Sequence, residues 1–230
     1  WQISLLNCTR KSCDVHQVRL GFFSFVCLEI YPILFQTIPF WEGLIFNMRI
    51  ISGTARGTKL YTLSGDNTRP TLDRVKESIF NIIQNEIEES VVLDLFSGSG
   101  AIGLEFASRG AKKVYLNDNS TEAIQIIKQN IEKTHISEKV EITNLDYLKA
   151  LKKLEGKCFD IVYLDPPYKT DFIKISIEQL LVNNCINNAT IIIAETDDKE
   201  RILNEIGYLS IELIDERKYG KANILFLKKK

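Results

Sequence analysis

The chain predicts an α/β fold, with a seven-stranded, mostly parallel sheet that ends in an antiparallel C-terminal hairpin and is preceded by a small N-terminal β-hairpin extension. Three observations carry this reading. Short apolar runs alternate with amphipathic stretches through the middle of the chain, the pattern of a sheet covered on both faces. A glycine-rich string follows the first of these runs and opens a helix. Two longer runs near the end are joined by a tight polar turn too short for a crossover connection, so they pair antiparallel.

Taken in order, Arg49–Ser52 and Lys59–Thr62 flank the Gly53–Gly57 stretch and read as a short hairpin. Residues 72–87 read as a helix, because Leu72, Val75, Ile79, Ile82 and Ile83 form an apolar stripe at helical spacing just after Pro70 and Thr71. The buried-type strands follow at Val91–Leu95, Lys113–Leu116, Val140–Thr143, Phe159–Leu164 and Thr190–Ala194. Helices between them start near Ala101, Thr121, Tyr147 and Asp171, and another spans Lys199–Ile206. Tyr208–Ile214 and Ala222–Leu227, joined by Lys218-Tyr219-Gly220-Lys221, form the closing hairpin at the sheet edge.

At 230 residues the chain holds one full α/β domain, or one domain with a small appendage. A hydrophobic content of 45% with 26% charged residues excludes wholesale disorder, and a net charge of −1 means that attraction to nucleic acid has to be local. The five cysteines (Cys8, Cys13, Cys27, Cys158, Cys185) are odd in number, scattered and without histidines at ligand spacing. They indicate neither a disulfide framework nor a metal site, and a reducing, cytoplasmic setting is the simpler inference.

Residues 1–47 read differently from the rest. Met48 is the single methionine, and the segment before it holds three of the five cysteines, both tryptophans and no clean periodicity. The expectation is that residues 1–47 are upstream sequence translated in frame, outside any domain, and that one domain spans 48–230. The competing reading is a signal or membrane anchor over the mostly apolar Leu20–Phe40, which follows Arg10, Lys11 and Arg19. Glu29, Pro32, Gln36 and Pro39 interrupt that stretch and weigh against it.

Asp94-Leu-Phe-Ser-Gly98-Ser-Gly100-Ala-Ile-Gly103 satisfies G-x-G-x-x-G after a strand, and Asp118 lies 20 residues beyond Gly98. This spacing fits a nucleotide cofactor, with glycines for close backbone approach and an acid at the end of the second strand for ribose hydroxyls. A nicotinamide or flavin enzyme competes at this point. Asp94 separates the two, since a carboxylate beside the turn repels a pyrophosphate but suits a ligand with a cationic end, such as the ammonium and sulfonium of S-adenosylmethionine. Asp146, just after the third strand, is placed to accept from an adenine amino group, or to cap the next helix.

Asp165-Pro166-Pro167-Tyr168 follows the apolar strand Phe159–Leu164, where ligands bind in such sheets. The prolines fix φ and remove two backbone donors. An exocyclic amine on a base is a poor nucleophile, because its lone pair is delocalised into the ring. Asp165 and the Pro166 carbonyl are both acceptors that can grip the amine's two hydrogens and aim the lone pair, while Tyr168 can stack on the base.

These strings carry a resemblance. D-L-F-S-G-S-G at Asp94–Gly100 resembles the first motif of class I methyltransferases, and DPPY resembles the (D/N)PP(Y/F/W) motif of amino-methyltransferases. Arg49-Ile-Ile-Ser-Gly-Thr-Ala-Arg56-Gly-Thr-Lys-Leu60 and Thr68-Arg69-Pro-Thr-Leu-Asp-Arg74-Val-Lys76-Glu-Ser-Ile-Phe-Asn81 resemble the start of the bacterial 16S ribosomal RNA guanine-N2 methyltransferases of the RsmD type, and the Lys218–Gly220 turn matches their terminal one. The resemblance covers 48–230. It implies a Rossmann-like class I methyltransferase fold, S-adenosylmethionine as cofactor, no metal, and methyl transfer to a guanine N2 amine of small-subunit rRNA in an assembled or assembling particle. It implies cofactor contacts from Asp94, Phe96, Ser97, Gly98, Gly100, Asp118, Asn119, Asp146 and Tyr147, and catalysis by Asp165, Pro166, Pro167 and Tyr168. Asp118 stands where the family often has glutamate.

Local charge supplies the nucleic-acid footprint. Arg49–Lys76 carries six basic residues against two acids, and so does Asp215–Lys230. Arg56, Arg69, Arg74 and Lys76, within an RNA-contacting extension over 48–88, are the expected phosphate contacts. Two alternatives stay open: a DNA or RNA adenine-N6 methyltransferase using the same loop, which in the DNA case normally needs a recognition domain that 48–230 has little room for, and an RNA-binding module without catalysis.

Overall fold

The computed structural model describes residues 45–62 and 70–230. The readings placed on residues 1–44, on the Leu20–Phe40 stretch and on Arg69 lie outside the described residues.

The sheet forms as its apolar runs require. Seven strands lie in the order β5-β4-β3-β6-β7-β9-β8: β3 (Val91–Asp94), β4 (Lys113–Asn117), β5 (Val140–Thr143), β6 (Ile161–Leu164), β7 (Ile191–Thr196), β8 (Ile211–Tyr219) and β9 (Ala222–Lys229). The pairs among β3 to β7 are parallel, and β9 runs antiparallel to both β7 and β8. Alternation along the strands divides the core into two layers. Ile161 and Tyr163 of β6 join Val92, Val114, Ile191 and Ile193 on one face. Val162 and Leu164 join Leu93, Ile192 and Ala194 on the other.

Helices cover both faces. α1 (Pro70–Ile82), α2 (Ala101–Ser108) and α3 (Thr121–Thr134) contribute to the first layer, and α4 (Tyr147–Lys153), α5 (Phe172–Val182) and α6 (Lys199–Ile206) to the second. α3 shows the local logic well. Ser120 caps it by accepting from the Ala123 N–H at 3.2 Å, Ile124, Ile127 and Ile131 form its buried face, and His135 ends it in the left-handed conformation.

Three elements depart most from expectation. The first hairpin strand is β1 (Ile45–Arg49), paired antiparallel with β2 (Lys59–Thr62), and not Arg49–Ser52. The reason is Glu105: its carboxylate accepts the Ile51 and Ser52 N–H groups at 2.8 and 2.9 Å, drawing them out of the ladder. α1 stops at Ile82 and gives way to a 3-10 turn at Gln84–Glu86, so Ile82 of the expected stripe is exposed while Phe80 is buried. β8 runs on to Tyr219 through Asp215–Lys218, where an edge strand tolerates charge, with a bulge between Leu213 and Asp215.

The small hairpin is tied to the domain by a buried side chain. Asn130 of α3 acts as a strand partner for Tyr61, accepting its N–H at 2.8 Å and donating to its carbonyl at 3.0 Å. It also donates to the Ser99 carbonyl at 2.9 Å, so one amide joins the extension to the glycine-rich loop. Among the described residues no helix is long and apolar enough to cross a membrane.

Candidate active site

The chain order β3-β4-β5 runs to one side of the sheet and β6-β7 to the other, so a crevice opens at the C-terminal ends of β3 and β6. A cavity of about 720 Å³ occupies it, within the usual range for a small-molecule site. It is lined from the ends of three strands: Asp94 at the end of β3, Asp118 after β4, and Asp165–Tyr168 after β6. Phe96, Ser97, Gly98, Asn119, Asp146 and Tyr147 complete most of the wall. Residues that the sequence spreads from 94 to 168 therefore surround one space.

The glycine loop is built by backbone demands. Gly98 has φ 53° and its missing Cβ would meet nothing within 4 Å, so the loop turns left-handed with an open side. Gly100 lines no part of the cavity. At φ 79° it is the N-cap of α2, and a Cβ there would sit 3.1 Å from Ile127, so its role is conformational and it is not a cavity contact. Ser97 fixes the loop from both ends, its N–H donating to the Asn117 carbonyl at 2.9 Å and its hydroxyl to the Asp94 carbonyl at 2.8 Å.

The acids differ in how they are occupied. Asp118 accepts the Gly98 N–H on one oxygen and the Ser120 N–H on the other, each at 2.8 Å, and so holds the loop while keeping further lone pairs. Asp146 caps α4 through the Leu148 N–H at 3.0 Å on Oδ1. Asp94 is buried, accepts the Gly103 N–H on Oδ2 at 3.2 Å, and leaves Oδ1 buried without a hydrogen-bond partner. Burial above all, with a push from Asp118 and against the pull of the Gly103 N–H, raises its pKa to about 7.

In the DPPY loop Asp165 is exposed and Pro166 is buried. The Pro167 carbonyl accepts the Thr170 hydroxyl at 2.8 Å, which ties the loop to the residues after it. Tyr168 is exposed, and its hydroxyl donates to Glu195 at 3.1 Å. An aromatic group stands beside the loop: the Phe172 ring lies parallel to Phe96 at 6.1 Å and tilted on Tyr147 at 4.7 Å.

Among the expected RNA contacts, Arg56 and Arg74 are exposed. Lys76 is corrected. It is 2% exposed, its ammonium sits 3.2 Å from Glu105 and donates to the Arg49 carbonyl, and burial lowers its pKa. It belongs to the interior, and no phosphate can reach it.

Sequence reasoning missed Met48, Tyr163 and Phe172 in the cavity wall and Glu195 beside it. Glu195 carried a usable signal. It stands near the C-terminal end of a parallel strand, as Asp94 does, one residue past where the Thr190–Ala194 run was closed.

Known proteins match this chain along nearly all of its described length. The family described as conserved hypothetical protein 95 matches residues 48–228. Ribosomal RNA small subunit methyltransferase D of Haemophilus influenzae is 41% identical over 162 residues, covering 69% of this chain and 83% of that protein. The protein of the same name from Buchnera aphidicola (Baizongia pistaciae) is 36% identical over 166 residues, covering 72% and 82%. The solved structure of Escherichia coli yhhF, described as a candidate methyltransferase, superposes with a TM-score of 0.69 at 28% identity, covering 82% of this chain and 99% of that one.

Proposed function

This chain belongs to the conserved hypothetical protein 95 family, the RsmD-type bacterial methyltransferases, and on that footing we propose that it methylates the exocyclic N2 amine of a guanine in small-subunit ribosomal RNA, using S-adenosylmethionine. One observation carries the reading: Asp94, whose Oδ1 has no hydrogen-bond partner, and the DPPY loop line the same cavity from the ends of two adjacent strands.

The residues present fit this cofactor. A buried carboxylate oxygen without a donor suits an ammonium group, and the ionised form would regain what burial costs it. Gly98 lets the backbone come close, Asp118 has lone pairs to spare for ribose hydroxyls, and Asp146 has its second oxygen for an adenine amine. Phe96, Asn119 and Tyr147 line the same cavity and would close around the adenosine. When bound, S-adenosylmethionine supplies an electrophilic methyl on a sulfonium.

The DPPY residues do the rest by positioning. Asp165 and the Pro166 carbonyl accept the two amine hydrogens and direct the lone pair into the cavity. Tyr168 stacks on the guanine, and the buried Pro166 and φ-locked Pro167 keep the loop from yielding. Asp165, open to solvent, takes the proton that the methylated amine sheds. Arg56 and Arg74 hold phosphates, which position the RNA without reading its sequence.

The test is transfer of labelled methyl to small ribosomal subunits that lack this modification, followed by nucleoside digestion. Label in N2-methylguanosine is expected. Label only in DNA, or at adenine N6, would contradict the target.

A further inference from the structure

Glu195 lies in β7, next to β6 and outside every motif of the sequence. Its two carboxylate oxygens take two tyrosines: Oε2 accepts the hydroxyl of Tyr163 and Oε1 that of Tyr168, each at 3.1 Å. Tyr163 is a buried residue of β6, whereas Tyr168 stands exposed at the end of the DPPY loop. The carboxylate thus links a ring fixed in the core to a ring in the loop.

This is a costly arrangement to keep for stability alone. Burial raises the pKa of Glu195, the two tyrosine hydroxyls oppose that rise, and among the described residues no cation takes part. The surrounding groups keep both tyrosines as neutral donors. Burial and then Glu195, Asp165 and Asp197 raise Tyr168, and burial with Glu195, Asp165 and Asp94 raises Tyr163. With burial and these acids raising both, neither phenol ionises near neutral pH, so the carboxylate keeps two O–H donors.

We propose that Glu195 is a positioning residue that holds the Tyr168 ring in the attitude for stacking on the acceptor base, with Tyr163 as its fixed anchor. This rests on the reading of Tyr168 as the platform for that base. An exposed loop tyrosine left unanchored has to be ordered when the base arrives, and anchoring it beforehand moves that cost into folding. Glu195 acts through Tyr168 and touches neither substrate nor cofactor.

The experiment compares E195A, E195Q, Y168F and the E195A/Y168F double variant in labelled-methyl transfer to unmodified small subunits. E195A and Y168F should each raise KM for the subunit by about three- to tenfold with a smaller change in kcat and leave cofactor affinity near wild type, and Y168F should leave thermal unfolding near wild type as well. E195Q keeps one acceptor oxygen and should fall between. The double variant should be no worse than the worse single one, since both break the same link. Additive losses, or an unchanged KM in E195A, would overturn the proposal. Y168F alters only an exposed loop side chain, so it remains informative if E195A folds poorly.

A second measurement does not depend on the substrate. In protein carrying fluorotyrosine, the Tyr168 fluorine resonance, assigned by its absence in Y168F, should shift and narrow in E195A as the ring is freed. An unchanged resonance would refute the anchoring even if no RNA were labelled. A shifted resonance with wild-type protein that labels no RNA would instead fault the proposed substrate.

Discussion

Two carboxylates lie at the same depth in this molecule and are treated in opposite ways. Glu105 of α2, 0% exposed, accepts the N–H groups of Ile51 and Ser52 and faces Lys76 at 3.2 Å and Arg109 at 2.8 Å. Asp94, 1% exposed, receives one N–H on one oxygen and nothing on the other. The first region is a closed network that fastens the N-terminal extension to the domain. The second is a carboxylate with one oxygen left without a partner, on a residue that lines the cavity. Burying a charge is expensive in both places, but only at Asp94 does the protein leave the expense unmet. On the proposed function, that contrast separates a structural acid from one held in readiness for a ligand.

The largest effect is expected from breaking the closed network. Glu105→Ala strands a buried lysine and two backbone donors, and should cost about 3–5 kcal/mol in denaturant unfolding. Asp94→Asn should do the reverse to stability. The pKa of Asp94 is raised from 3.8 to about 7, so the folded state binds more protons than the unfolded one between those values. Its contribution to stability therefore falls as pH rises through that window, and the unfolding free energy of Asp94→Asn should gain on wild type from about pH 4 to 7. The same variant should lose cofactor affinity, by about ten- to a hundredfold. In wild type, affinity should weaken as pH drops below about 7 by up to about tenfold per pH unit, and in Asp94→Asn this dependence should vanish. Calorimetry across that range checks both.

A smaller effect sharpens the same comparison at the surface. Arg74→Ala should reduce the salt slope of subunit binding by about 1, as expected for one lost phosphate contact. Lys76→Ala should leave that slope unchanged while lowering stability, since Lys76 belongs to the network around Glu105. Equal slopes for the two variants would undo the assignment of Lys76 to the interior.

Much of this was legible beforehand, for identifiable reasons. The parallel strands were readable because burial on both faces leaves continuous runs such as Ile161–Leu164, and the cavity wall because its residues sit in strings that begin where strands end. β8 was read short because an edge strand admits charge at Asp215–Lys218, where apolar pattern is silent. Lys76 was misread because a lysine early in a helix looks solvated. What buries it is Glu105, in another helix, and such a pairing leaves no trace in local spacing. Glu195 and Phe172 belong to no motif and reach the site through sheet register and helix packing alone.

In the proposed function one cavity divides its work, Asp94 and the glycine loop holding cofactor while the DPPY loop prepares the amine. Asp165→Ala tests that division most directly, with turnover on unmodified subunits and cofactor affinity measured on the same preparation. Transfer should fall by a factor of about a thousand or more, with the cofactor dissociation constant within about twofold of wild type. Loss of affinity in step with loss of turnover would contradict it.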